Sequence, residues 1–217
     1  EFEIDFINTS DLTKLMIPNL NFEQGSRFYG SFRNRGGGLN LAIESPSFSL
    51  GKYSFNNINL NTIVKEKDWA VNLSGDKFIY DGDAIIKNLS LNQLGSYGES
   101  NYVLNWESSD SIKFDGSLKG SVNMNQSSLK VVLDEGQFYF ADTLWSLKDS
   151  SFFDYFKDKI HSQLSIGTVS QDFNFSFISH DIIDTINLSL NHFEMSNFSP
   201  WLSKINSSLK GTLNGDI

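Results

Sequence analysis

The chain has 217 residues, with 17 basic and 26 acidic side chains for a formal net charge of −9, 19 phenylalanines and no cysteine. The acidic balance, with no Lys/Arg cluster, excludes an electrostatic footprint for nucleic acid. The missing cysteines exclude disulfides, thiolate zinc sites and a thiol nucleophile, and no apolar run reaches the ~18–20 residues of a membrane-spanning helix.

Period-two alternation dominates from the first residues. Phe2, Ile4 and Phe6 alternate with Glu1, Glu3 and Asp5, which places the apolar side chains on one face of an extended strand. Ser10 followed by Asp11, Leu12, Leu15 and Met16 predicts a short helix stopped by Pro18. Strands resume with Phe28, Gly30 and Phe32, then with Leu39, Leu41 and Ile43, and again with Ile58, Leu60, Thr62 and Val64 between asparagines. Gly36-Gly37-Gly38, Ser74-Gly75-Asp76, Asp81-Gly82-Asp83 and Asp134-Glu135-Gly136 carry turn chemistry and predict hairpins. The longest alternation runs from Ile112 to Met124, with Ile112, Phe114, Leu118, Val122 and Met124 on the apolar side.

Helical spacing interrupts this pattern. Phe152, Phe156 and Ile160 recur every fourth residue, Ser151 and Asp154 read as a capping box, and Lys157 and Lys159 fall in the last turns. Together they predict a helix over 152–161. Phe173, Phe175 and Phe177, then Ile186, Leu188 and Leu190, return to alternation. Ser199-Pro200 opens a further predicted short helix through Trp201, Leu202 and Ile205, and Leu209 to Ile217 alternates again. The order strand, short helix, glycine-containing strand occurs near residue 1 and again from residue 186. This reads as an approximate repeat unit over 1–185, with the next copy starting near 186. The chain begins on Glu1 and stops in mid-alternation, so residues 1–217 read as one continuous segment of a longer array.

Strands with a single apolar face bury it in a sandwich or closed barrel, against lipid in a transmembrane barrel, or in the trough of one curved sheet. Period two alone does not choose among these. The predicted helices and unequal strand lengths weigh against a lipid-facing wall. Gly116, Gly120, Gly211 and Gly215, at apolar positions, point to tight coiling.

Thr185–Ile217 (TINLSLNHFEMSNFSPWLSKINSSLKGTLNGDI) resembles the repeating unit of the TamB/AsmA-like family: a strand, a short crossing segment, then L-x-G-x-L-x-G. Gly116–Ser146 and Asp83–Leu91 are similar in style, and the Asn-, Ser- and Phe-rich composition resembles the Bacteroidetes version. The resemblance implies an all-β fold: an elongated, strongly curved, mainly antiparallel sheet forming an open, taco-like groove with a hydrophobic interior, plus short helices. It implies a segment of a periplasmic envelope-biogenesis protein that bridges inner and outer membrane. Such a segment carries phospholipid or supports outer-membrane protein assembly. The implied partners are phospholipid acyl chains and a TamA-like outer-membrane barrel of the Omp85 type, with an inner-membrane anchor upstream. On this reading the groove is lined by Ile112, Phe114, Leu118, Val122 and Met124, by Phe173, Phe175, Leu188 and Leu190, and by Ile58 and Leu60.

Chemistry has little support. His161, His180 and His192 lack metal-binding spacing, Asp81-Gly82-Asp83 lacks the further ligands of a calcium loop, and no nucleophile-elbow, Walker or Rossmann motif occurs. No enzyme, cofactor or metal is expected. The alternative is an extracellular β-rich adhesin or carbohydrate-binding module, in which Trp69, Tyr80 and Tyr139 would supply aromatic platforms on the polar face.

Overall fold

The computed structural model describes residues 2–6, 19–33, 38–108, 114–140, 142–149, 151–180, 183–198 and 211–216. The fold is all-β and antiparallel, with a 3-10 turn at Met195–Phe198. Two compact units make up the chain. The first contains the strands before Gly98 together with Tyr102–Ser108; the second contains Gly98–Asn101 and the strands from Gly116 onward.

The first unit comprises β1 (Phe2–Phe6), β2 (Leu20–Phe22), β3 (Ser26–Arg33), β4 (Gly38–Leu50), β5 (Tyr53–Lys65), β6 (Asp68–Tyr80), β7 (Asp83–Ser96) and most of β8 (Glu99–Ser108). Their hydrogen-bonded order is β1-β3-β4-β5-β6-β7-β8, with β2 also on β4. Two-residue turns at Gly51-Lys52, Glu66-Lys67, Asp81-Gly82 and Tyr97-Gly98 connect the long strands. Positive φ at Gly51, Glu66, Asp81, Gly82 and Tyr97 matches the right-handed strand twist.

These strands are creased at mid-length. Pro46, which has no N–H to donate, faces the interruption of the β4–β5 ladder, and Asn57 and Asn88 enter the left-handed region at φ 50° and 48°. The irregularity shifts the alternation by one residue. Leu39, Leu41 and Ile43 face inward before it in β4, and Phe48 and Leu50 after it; in β5, Tyr53 and Phe55 give way to Ile58 and Leu60. Phe22 on one side of the crease meets Phe28 on the other edge-on, at 5.1 Å between ring centroids. The apolar residues of both halves therefore form one surface. Ser26, Ser45, Ile58 and Gly75 lie buried along the crease. Ser74-Gly75-Asp76 is thus not the predicted turn: it runs through the middle of β6. A Cβ on Gly75 would lie 2.6 Å from Ile58 Cδ1, so the backbone there packs where a side chain would stand.

The second unit repeats this device. It contains β9 (Gly116–Met124), β10 (Ser128–Phe140), β11 (Thr143–Leu147), β12 (Ser151–Phe156), β13 (Lys159–Gly167), β14 (Asp172–Ile178), β15 (Thr185–Glu194) and β16 (Thr212–Asp216). Asp134-Glu135-Gly136, also predicted as a turn, is a bulge within β10, between Leu133 and Glu135. β11 and β12 pair with the two halves of β10 on either side of that bulge, as one strand broken at its crease. β2 and β3 divide along β4 in the same way. In each unit a fully buried serine opens the second half of the broken strand. Ser26 Oγ donates to Glu23 O at 2.7 Å, and Ser151 Oγ to Asp149 O at 3.3 Å.

The helix predicted over Phe152–His161 is instead the β12–β13 hairpin. Lys157 and Asp158, at φ 48° and 64°, make its two-residue turn, and Tyr155 Oη donates to Asp158 at 2.7 Å. The spacing of four was coincidental. Phe153 and Tyr155 sit opposite Val131 and Leu129, whereas Phe152 faces the other side, edge-on to His161. A Phe/Tyr-rich run of this kind suits a pleated, half-buried surface. The predicted helices at Ser10–Met16 and Ser199–Ile205 lie outside the described residues.

β1 pairs antiparallel with β3, and β15 with β16. Gly211 and Gly215 do not relieve crowding, since a Cβ on either meets nothing within 4 Å. Gly75→Ala is therefore expected to lower stability by about 1–3 kcal/mol, whereas Gly215→Ala changes it by less than about 0.5 kcal/mol. Urea unfolding of the two variants measures the contrast.

Candidate functional site

The strand registers settle which residues share a face. In the second unit, Met124, Val122 and Leu118 of β9 face the same side as Leu129, Val131 and Gly136 of β10. Further along the same unit, Leu164 pairs with Phe175 and Phe175 with Leu188, while Ile166 pairs with Phe173 and Phe173 with Leu190. The sequence-predicted lining residues Leu118, Val122, Met124, Phe173, Phe175, Leu188 and Leu190 therefore all lie on the apolar face of their strands. Phe114 is half-buried just ahead of β9, where Asp115 O still accepts from Tyr139 N at 2.7 Å. Ile112 lies outside the described residues. In the first unit, Ile58 and Leu60 occupy the apolar face opposite Ser45 and Ile43.

Burial is graded across these faces. Among the described residues the buried apolar side chains are Ile58 at 6% exposure, Trp145 at 1% and Phe193 at 5%. Ile58 fills the crease of the first unit. Trp145 and Phe193 pack together at 5.7 Å between ring centroids, with Phe173 beyond at 6.2 Å from Phe193. The remaining lining residues are half-buried, and the margins are open: Met124 is 60% exposed and Ile186 61%. Among the described residues of each unit, burial falls away from these positions toward the outer residues of the sheet. Covering an aliphatic side chain of this kind is worth about 1.5–3 kcal/mol when burial is complete, so the uncovered margin is a reservoir of binding free energy.

On one side of the crease of the first unit Phe22, Phe48, Phe55 and Phe78 form an aromatic ladder with successive centroids 5.9, 4.7 and 4.7 Å apart, continued by Tyr53 and Tyr80. The other side mixes aliphatic residues, Leu41, Ile43, Leu60 and Leu73, with Phe28 and Trp69. Sequence reasoning passed over much of this wall, because Phe48 and Phe55 follow the alternation only after the crease has shifted it by one. It also missed Phe153 and Tyr155 of the second unit, whose alternation was hidden beneath the helical spacing.

Among the described residues the ion pairs lie at turns and on the opposite face. Lys52 Nζ and Asp81 Oδ2 pair at 2.9 Å beside two turns, and the hydrogen bond and charge of Asp81 hold the Lys52 ammonium above its ordinary range. On the polar face Lys119 and Glu135 pair at 2.9 Å, and Lys119 holds the Glu135 carboxyl below the usual range. Among the described residues no cluster of His, Asp and Glu is arranged to hold a metal ion. Trp69 and Tyr80 lie on the apolar face, in register with Val64 and Tyr53, whereas Tyr139 lies on the face opposite Phe138 and Phe140.

Comparisons with protein-family models, with curated proteins and with solved structures give no match for this chain.

Proposed function

We propose that the apolar sheet faces bind the acyl chains of phospholipid, and that the chain is a periplasmic segment of a TamB/AsmA-like envelope protein. One observation carries the reading: among the described residues of each unit the apolar face is buried around a few positions (Ile58, Trp145 and Phe193) and exposed at margin residues such as Met124 and Ile186. An acyl chain supplies the missing layer. Each methylene moved from water onto such a surface gains about 0.8 kcal/mol, and a surface of Phe, Leu, Ile and Val makes no demand on the position of any single methylene. Head groups remain in water beside the charged turns. No bond is made or broken in this activity, and it requires no metal or cofactor. The outer-membrane partner is a TamA-like barrel of the Omp85 type, the anchor lies in the inner membrane upstream, and the route joins the two membranes. The adhesin alternative loses two of its three aromatic platforms, because Trp69 and Tyr80 belong to the apolar face.

Purified without detergent, the chain is expected to carry phospholipid in stoichiometric amount, detected by mass spectrometry of an organic extract. Lipid-free protein under those conditions overturns the reading.

A pair of variants separates lining from core. Ile186→Asp, at an open margin, is expected to change unfolding free energy by less than about 0.5 kcal/mol while reducing bound lipid at least severalfold. Ile58→Ala, at the crease, is expected to cost about 2–5 kcal/mol, measured by urea unfolding.

A further inference from the structure

We propose that the polar face of the first unit holds a binding site for a neutral glycan, separate from the apolar face and independent of the lipid reading. β5, β6 and β7 present two rungs of uncharged polar side chains across that face. In one, Asn61 lies opposite Asn72 and Asn72 opposite Asn92; in the other, Asn59 lies opposite Ser74 and Ser74 opposite Ser90. Glu44 of β4 extends the second rung, facing Asn59. With Tyr29 of β3, these residues line a concavity of about 340 Å³.

The hydrogen-bonding capacity of this concavity is largely unspent. Among the described residues, the side chains of Asn59, Asn61, Asn72 and Asn92 have no hydrogen-bond partner within the protein. Their neighbours do: Asn57 Nδ2 donates to Asp76 Oδ2 at 2.7 Å, Asn88 Nδ2 to Glu107 Oε2 at 2.5 Å, and Asn105 Nδ2 to Ser90 Oγ at 3.5 Å. A concavity of the second unit, about 460 Å³, is different. There Asn187 Nδ2 donates to Ser176 Oγ at 3.1 Å, and Asn174 Oδ1 accepts from Ser165 Oγ at 2.6 Å. Among the described residues, the carboxamides of the first concavity are open to a ligand where Asn174 and Asn187 of the second are engaged.

The chemistry of that block selects its partner. Each carboxamide offers two N–H donors and two acceptor lone pairs, and the strands hold successive amides about 4.8 Å apart. Sugar hydroxyls both donate and accept, and a carboxamide satisfies both roles at once, which neither an ammonium nor a carboxylate does. Tyr29, 36% exposed, donates its hydroxyl to Glu44 Oε1 at 2.5 Å. That bond fixes the ring, whose flat apolar surface suits the C–H face of a sugar. Among the described residues that line the concavity Glu44 is the charged one, and Arg27 lies directly opposite it in the β3–β4 register, so the rim carries one charge of each sign and the lining itself is uncharged amide and hydroxyl.

The test is an NMR titration of the ¹⁵N-labelled 217-residue chain, following asparagine side-chain amide signals, with maltohexaose, cellohexaose, chitohexaose and mannohexaose in turn. At least one is expected to shift the signals of Asn59, Asn61, Asn72 and Asn92, with a dissociation constant of about 1 mM or tighter. Asn61→Ala, Asn72→Ala and Tyr29→Ala are each expected to weaken that binding about tenfold. All three sites are on the surface, and the unchanged backbone amide spectrum of each variant verifies its fold. The proposal is overturned by no shift with any of the four sugars, by shifts that survive the Asn61→Ala/Asn72→Ala double variant, or by a stronger response of the same signals to heparin.

Discussion

The apolar face of a sheet must be brought against other parts of the chain or left for something else. The crease does the first in part. An irregularity at mid-strand bends each sheet toward its own apolar side, and the bend requires small residues on the inside. Ser26, Ser45 and Gly75 meet that requirement around Ile58 in the first unit. In the second, the backbone of Gly136 closes against Leu118 and Leu147, and Ser151 lies fully buried. Serine suits the position beyond its size. Ser26 Oγ bonds both Glu23 O and Ser45 Oγ, and Ser151 Oγ accepts from Ser165 N, so the hydroxyls satisfy backbone groups that the broken ladders leave behind.

The same geometry explains why burial falls away from the crease. Near it, each apolar side chain has neighbours on both walls; at the margins it has neighbours on one. The contrast between Ile58 and Ile186 has this origin rather than any difference in residue chemistry. A fold that used its apolar residues only for stability would gain by closing over them. Leaving margins such as Met124 and Ile186 open forgoes that stabilisation, and on the proposed reading an acyl chain laid along the margin would recover it. The aromatic ladder from Phe22 to Phe78 adds stiffness to one wall, because the offset rings hold neighbouring strands in register independently of any ligand.

Alternation in the sequence reveals which residues share a face, and it does so without reference to what the face touches. Leu118, Val122 and Met124, or Phe173 with Leu190, were legible for that reason. The crease was not legible, because its markers have two meanings. Gly75 between Ser74 and Asp76 has the composition of a hairpin turn, yet the strand continues through it at the crease and the glycine instead makes room for Ile58. Asn57 and Asn88 carry positive φ within strands that are otherwise regular, and their signal is lost among many asparagines. The Phe152–His161 segment failed in the opposite sense. Lys157-Asp158 forms its turn without glycine, so nothing interrupted a chance spacing of four. Local chemistry fixes a turn only when no strand lies waiting on either side to pair through it.

Because successive side chains point to opposite faces, the residues behind the apolar wall are determined by the same register that builds the wall. Asn59 and Asn61 alternate with Ile58 and Leu60 in β5, and Asn72 and Ser74 alternate with Val71 and Leu73 in β6. A slip of one residue would carry amides into the trough and aliphatic side chains onto the polar face. The crease resets the alternation at Asn57, so its position sets both surfaces together. Amides that served only to keep the outer face wet would need no rung-by-rung alignment, since any polar residue solvates a strand. Alignment across β5, β6 and β7, with the amides unbonded to one another, is instead what a ligand spanning several strands requires.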